Sequence, residues 1–268
     1  MNQCLSLCGV WKSFDAGVRG CSASVSVLRD VHLDVDAGTM VGLAAAPASG
    51  KTTLLMCAAG LMRPDRGLVS WFGAPARRDH SARPDGIALA GDRPFPYGFL
   101  TIREAVEYAA IVRDLPLRDS ASRVSTALER VGLGAIAHRR VDSVHGGGAA
   151  RLAIATALLA HPRLVFVDDF APGCDLDTAT ELLVVLRSLA SEGAAIVVAG
   201  RFSHVLANVA NGTTPMPRFY SLTSGRLLPV HADDGGALRP HVMLPAPHAH
   251  TRVAESARHS AAQDDGAH

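Results

Sequence analysis

The sequence lacks the roughly twenty consecutive apolar residues that a membrane-crossing helix needs. Its richest run, residues 152–167, is broken by His161, Pro162 and Arg163. The opening stretch MNQCLSLCGVWKSF has no basic segment followed by a long apolar core, so no secretory signal is expected. An excess of one charge is also missing. The formal net charge is +1 and the basic residues are scattered, which leaves little field for gathering DNA or RNA, and no nucleic-acid partner is expected. Cysteine is sparse: the five residues, at positions 4, 8, 21, 57 and 174, are odd in number and irregularly spaced. That suits neither a disulfide framework nor a closed zinc site, and points to a reducing compartment. Lysine is scarcer still, since of 26 Lys and Arg residues two are lysines, Lys12 and Lys51.

What remains is ample for a buried core, with 48% hydrophobic residues in a chain of 268. Residues 24–36 alternate apolar and polar before a turn at Ala37-Gly38, a strand pattern, and residues 39–46 form a short apolar run that suits a buried strand. From Lys51 the content favours a helix ending at Gly60. Residues 102–115 and 120–131 carry helical spacing, whereas 164–167 and 195–199 read as interior strands. Strands alternating with helices predict an α/β fold with a largely parallel sheet. Beyond about Val230 the chain turns to His, Ala, Pro, Gly and Asp without periodicity, which predicts a flexible tail. The tail histidines, His231, His241, His248, His250 and His259, are irregularly spaced and imply adventitious metal affinity at most.

Gly50-Lys51-Thr52 stands between a predicted strand and a predicted helix, the setting in which a phosphate-binding loop works. Backbone N–H groups and the helix N-terminus cradle phosphates there, the lysine reaches the β and γ oxygens, and the threonine hydroxyl binds Mg²⁺. In so lysine-poor a chain, a lysine inside this motif by accident is improbable. The pattern G-x-x-x-x-G-K-[ST] is nevertheless incomplete: the loop reads AAPASGKT, with Ala45 at the first glycine position, and Pro47 removes one N–H. A second motif, LVFVDD at 164–169, is an interior strand ending in two carboxylates. Asp168 would bind Mg²⁺ from a strand lying beside the loop, although a solvated strand end is the plain alternative. Between the two lies His145-Gly146-Gly147-Gly148, ahead of the helix-forming AARLAIATALLAH. It is either an anion site built from N–H groups or a simple hinge.

In this order the elements resemble an ABC-type (ATP-binding cassette) ATPase domain over about residues 5–228. That family follows its P-loop with a glutamine loop, an LSGGQ signature before a helix, a Walker B strand, a D-loop and a histidine switch. Here VHGGGAARLAIATALLAHPRLVFVDDFAPGCD lies where the family runs from signature to D-loop. The resemblance implies a P-loop NTPase fold of the ABC ATPase type: a largely parallel sheet flanked by helices, a small antiparallel β part, and a helical subdomain. The ATP-binding domain would span residues 1–230, with the helical subdomain at about 93–150 and the tail at 231–268. ATP and Mg²⁺ are the implied cofactors. Phe14 matches the position that stacks on adenine; Ser49, Gly50, Lys51, Thr52 and Thr53 match the phosphate loop; Thr52 and Asp168 match the Mg²⁺ positions. His145, Gly146 and Gly147 fall at the signature, which in the family faces the nucleotide of a second, head-to-tail cassette.

Several positions depart from the family pattern. Asp92 falls at the glutamine that senses the γ-phosphate and contacts the transmembrane partner, and a carboxylate cannot supply the amide's donor. Asp169 replaces the catalytic glutamate and withdraws the carboxylate by one methylene, while Arg201 stands at the switch histidine, with His204 three residues later. At the signature His145 replaces serine and Gly148 replaces glutamine, and the D-loop element reads Gly173-Cys174-Asp175. Binding groups survive and hydrolytic groups do not, so the expectation is an ATP-binding subunit with weakened turnover. It would be peripheral at the cytoplasmic face of the cell membrane, and bound to transmembrane subunits and to a second cassette with intact motifs. The stretch LTIREAVEYAAIVRDL is similar to the helical region of exporter-type subunits. A non-hydrolysing scaffolding subunit and a soluble P-loop protein outside transport are the alternatives.

Overall fold

The computed structural model describes residues 3–15, 24–76, 84–91, 97–145, 147–170, 174–200, 218–232 and 238–240. In chain order the strands β1 (Gln3–Asp15), β2 (Ser24–Asp36) and β3 (Met40–Ala44) lead into helix α1 (Lys51–Ala58). Strands β4 (Arg66–Trp71), β5 (Ala74–Pro75) and β6 (Ile87–Ala90) follow, then helices α2 (Ile102–Val112), α3 (Leu117–Arg130) and α4 (Gly148–Leu158). The remainder is β7 (Leu164–Val167), α5 (Leu176–Ser191), β8 (Ala195–Gly200), β9 (Arg218–Thr223), β10 (Arg226–Ala232) and β11 (Leu238–Pro240).

Two sheets organise these elements. A small antiparallel sheet runs β2-β1-β4-β5, and a seven-stranded sheet runs β11-β10-β9-β3-β8-β7-β6. From β9 to β6 every pairing in the large sheet is parallel, while β9, β10 and β11 pair antiparallel. A parallel sheet must be covered on both faces, and the alternation of side chains along each strand divides the core accordingly. Leu164 and Phe166 of β7, with Val197 of β8 and Leu43 of β3, pack with α1 and the antiparallel sheet. Their neighbours Val165, Val167, Ile196 and Val198 face the opposite way, against α2 to α5. The fold is therefore α/β with a mainly parallel sheet, a small antiparallel part and a layer of helices.

Helix ends fall where local chemistry sets them. A capping box starts α2: the Thr101 hydroxyl accepts from Glu104 N–H at 3.2 Å and the Glu104 carboxylate accepts from Thr101 N–H at 2.8 Å. The same helix stops at Val112 rather than at the expected residue 115, because Asp114 turns left-handed at φ 53° and Leu115 N–H closes back on Ala110 O at 3.1 Å. Helix α4 likewise stops at Leu158, short of the expected 161, where His161 takes φ 45° ahead of Pro162.

Beyond residue 230 the chain continues in the sheet. β10 runs to Ala232 and β11 pairs with it, Val230 opposite Pro240, within the stretch whose composition predicts a tail. The buried Val230 side chain anchors β10 on the helical side of the sheet, so a short pairing persists in polar, aperiodic sequence.

One guanidinium joins three helices. Arg151 of α4 donates to the Val131 carbonyl just past α3, at 2.7 Å, and to the Glu181 carboxylate of α5, at 2.5 Å.

Candidate functional site

Parallel strands direct their carboxyl ends to one edge of the sheet, where ligands of open α/β folds bind. β3 ends at Ala44 on that edge, the loop of residues 45–50 follows, and α1 starts at Lys51. Gly50 is the residue before the helix and has φ 99°, a left-handed conformation open to glycine. A Cβ there would also lie 2.6 Å from Val27 Cγ1 of β2, so glycine is required on both counts. The same Val27 lies two residues from Val25, the cross-strand partner of Phe14, which places Phe14 on the antiparallel sheet near the loop. Phe14 is 40% exposed, with Lys12 Nζ 5.6 Å from its ring centre.

Lys51 is only 8% exposed and its ammonium turns back over the loop, donating to the Ala46 carbonyl at 2.9 Å and the Ala45 carbonyl at 3.3 Å. Ser49 N–H donates to Ala46 O at 3.3 Å. Ser49 Oγ is buried and makes no hydrogen bond to any described residue, which suits a site awaiting an acceptor. Thr52 is exposed and Thr53 half-buried on the first turn of α1. The incomplete motif singles out Ala45, yet Ala45 is not among the residues with positive φ; Ala48 is, at φ 58°.

The carboxylates Asp168 and Asp169 follow β7 at the same edge. The expectation that their strand lies beside the loop is corrected: β8 sits between β3 and β7. One intervening strand sets β3 and β7 about 10 Å apart. Asp168 is 5% exposed, and a buried carboxylate is costly unless hydrogen-bonded or close to a cation. Asp169 is half-buried with φ 44°, a conformation that Asp adopts more readily than most side chains. Both line a small cavity with Gly147, Gly91 and Phe170.

Gly147 precedes α4 with φ 58°, and a Cβ on it would fall 2.3 Å from Thr178 Cγ2 and 3.2 Å from Cys174 Sγ. The start of α4 is thus pressed against the start of α5, where Asp175 caps the helix by accepting from Thr178 N–H at 2.7 Å. That bond holds the Asp175 carboxyl below the usual carboxylate range, whereas burial pushes the Cys174 thiol up. His145 is exposed just before this turn. Asp92, Gly146 and Arg201 lie outside the described residues.

The donor set fits a magnesium nucleotide: an ammonium, a buried hydroxyl and a helix N-terminus for phosphate, with the Thr52 hydroxyl and the Asp168 carboxylate as oxygen ligands for a hard cation. Sequence reasoning missed three features here, the left-handed Ala48, the Val27 contact at Gly50 and the Arg151 tie. Of these, the arginine placed in an otherwise apolar helix was the only one with a visible signal.

Comparison with known proteins agrees with this arrangement. Residues 28–171 match the ABC transporter family model. An ABC transporter ATP-binding protein of Thermotoga maritima is 32% identical, over 80% of this chain and 90% of its own length. The macrolide export ATP-binding/permease protein MacB of Bordetella avium is 31% identical over 72% of this chain, which spans 30% of MacB. The molybdate/tungstate import ATP-binding protein WtpC of Pyrococcus horikoshii is 30% identical over 58% of this chain, which covers 45% of that protein. Among solved structures, an ATP-binding subunit of an ABC transporter aligns with TM-score 0.66 and 25% identity, over 84% of this chain and 88% of its own. A dimeric ATP-binding cassette bound to ADP and Pi shares the fold, with TM-score 0.70 and 23% identity over 83% of this chain and 96% of its own.

Proposed function

The chain belongs to the ABC transporter ATP-binding family, and from that premise we infer that it couples ATP binding, with weakened hydrolysis, to transport by separate membrane-spanning subunits. The observation that carries this reading is the pairing of a buried Lys51, at the start of α1, with a buried Asp168 on the same sheet edge. Lys51, Gly50, Ser49 and the N–H groups of the first turn of α1 hold the phosphates. Thr52 and Asp168 would hold Mg²⁺, Phe14 would lie against the base, and Gly147 with His145 would face the nucleotide of a second cassette. When bound, Mg²⁺ neutralises phosphate charge.

Weak turnover follows from the side chains at the reacting end. Asp169 stops one methylene short of where a glutamate would hold an attacking water, and general-base geometry tolerates little displacement. Arg201 remains protonated and can neutralise charge but cannot relay a proton. Asp92 cannot donate as an amide does. A partner cassette with intact motifs compensates for both the weak acid–base groups and the altered signature, which favours a hetero-oligomer.

Membrane attachment is through partners. No described helix is long and apolar enough to cross a membrane. The segment just after Asp92 exposes Tyr97, Phe99, Tyr108, Ile111 and Val112, with Tyr97 edge-on to Phe99 and Tyr108 at 5.9 and 5.3 Å between ring centres. Phe99, Ile111 and Val112 are each 65% exposed. Grouped exposed apolar side chains mark an interaction site, and these support docking of a membrane subunit at the cytoplasmic face.

The experiment is Mg·ATP binding and turnover by the purified chain beside Lys51→Ala and Asp169→Glu. Binding with little turnover, a roughly thirtyfold loss of Mg·ATP affinity in Lys51→Ala and a gain of turnover in Asp169→Glu are expected. Brisk turnover by a symmetric ATP-dependent dimer of the unchanged chain contradicts the reading. An absence of binding even with a partner makes the role structural.

A further inference from the structure

We propose that Ala48, rather than Ala45 or Pro47, limits the affinity of the phosphate loop for nucleotide. The inference rests on reading residues 45–53 as the nucleotide site and goes beyond it by naming what tunes that site.

Ala48 and Gly50 are both left-handed, at φ 58° and 99°, and Ser49 between them is not among the positive-φ residues. Alternation of left- and right-handed backbone turns successive N–H groups inward and forms an anion-binding concavity. Glycine adopts this conformation freely, whereas an L-residue with a Cβ disfavours it by roughly tenfold in population. Ala48 is exposed, so no side-chain packing offsets that preference.

What holds the loop in shape is the Lys51 ammonium on Ala45 O and Ala46 O, at 3.3 and 2.9 Å, and Ser49 N–H on Ala46 O at 3.3 Å. The ammonium must leave these carbonyls to reach a phosphate. Once it does, the left-handed turn at Ala48 keeps the long Ser49 N–H bond to Ala46 O, at 3.3 Å, and loses the two ammonium bonds that braced it. The loop therefore exchanges with shapes in which Ala48 relaxes to ordinary φ and the concavity is lost. Apparent affinity falls in proportion to the competent fraction. Position 45 carries no such preference, because its backbone lies outside the left-handed region.

The test is calorimetric titration of the full chain with Mg·ATP, comparing Ala48→Gly, Ala48→Asn, Ala48→Val and Ala45→Gly, with Lys51→Ala as a check on the site itself. Ala48→Gly tightens binding about fivefold, equivalent to about 1 kcal/mol. Asn, which tolerates the left-handed region, tightens it less, and β-branched Val weakens it. Ala45→Gly gains less than Ala48→Gly. The order Gly, Asn, Ala, Val from tightest to weakest supports the proposal, because it follows backbone preference rather than side-chain size. Equal affinities across the Ala48 series, or a larger gain from Ala45→Gly, overturn it while the nucleotide site stands. If no variant binds, or if Lys51→Ala binds as the unchanged chain does, the nucleotide reading fails and the proposal fails with it.

Discussion

The starts of α1 and α4 are built alike and equipped differently. Each helix is entered through a left-handed glycine without a side-chain cap, Gly50 at φ 99° and Gly147 at φ 58°. Each glycine is pinned by a side chain from another element, Val27 for Gly50 and Thr178 for Gly147. The difference is in what the turn carries. The α1 turn holds a buried ammonium and is followed by two hydroxyls, while the described part of the α4 turn brings an exposed imidazole and small side chains. The comparison teaches that two turns of one backbone shape can offer N–H groups alike and still differ in charge, and the proposed nucleotide site rests on the charge at α1.

The largest expected effect strikes the α4 side. Gly147→Ala brings a Cβ within 2.3 Å of Thr178 Cγ2 at a left-handed φ, which costs about 3 kcal/mol of stability by overpacking and backbone strain. Chemical denaturation reads this, and adding Thr178→Ala recovers part of the loss; if the double variant is no better, the pinning contact is not the cause.

Next comes Lys51→Ala on the α1 side, which removes charge-assisted bonds to phosphate worth about 2 kcal/mol. Mg·ATP affinity then falls roughly thirtyfold, measured by titration, with no comparable fall from His145→Ala on the isolated chain. A similar loss from His145→Ala would erase the distinction between the two turns.

Asp169→Glu has a smaller effect and a mixed one. It raises turnover by extending the carboxylate, and it lowers the melting temperature slightly, because φ 44° suits Asp better than Glu. Phosphate release and a thermal melt separate the two outcomes.

The smallest effect is on the acid limb of stability. Thr178 N–H holds the Asp175 carboxyl below its ordinary range, and Thr101 N–H does the same for Glu104. Groups depressed in this way contribute stability that is present above the ordinary carboxylate pKa and is lost as pH falls through their folded values. Asp175→Asn keeps a helix cap but cannot titrate, so its melting temperature declines less steeply on acidification than that of the unchanged chain.

Much of the arrangement was legible in residue order. The lysine between strand and helix, the strand ending in Asp168 and Asp169, and the glycine run before α4 are local patterns, and local patterns survive in sequence. Long-range choices do not. Nothing within residues 164–169 tells that β8 inserts between β7 and β3, because strand order is set by crossovers hundreds of atoms away. The missing glycine at 45 drew attention through the motif, yet the strained backbone is at Ala48, since φ is written in geometry and not in residue type. The pairing of β11 escaped notice because three residues are too few to carry a period.

Arg151 links the carbonyl of Val131, the carboxylate of Glu181 and its own helix α4. Mechanically it is a rivet through three members. It holds the end of α3 and the side of α5 to α4, so at this point a displacement of any one of the three helices is resisted by the other two.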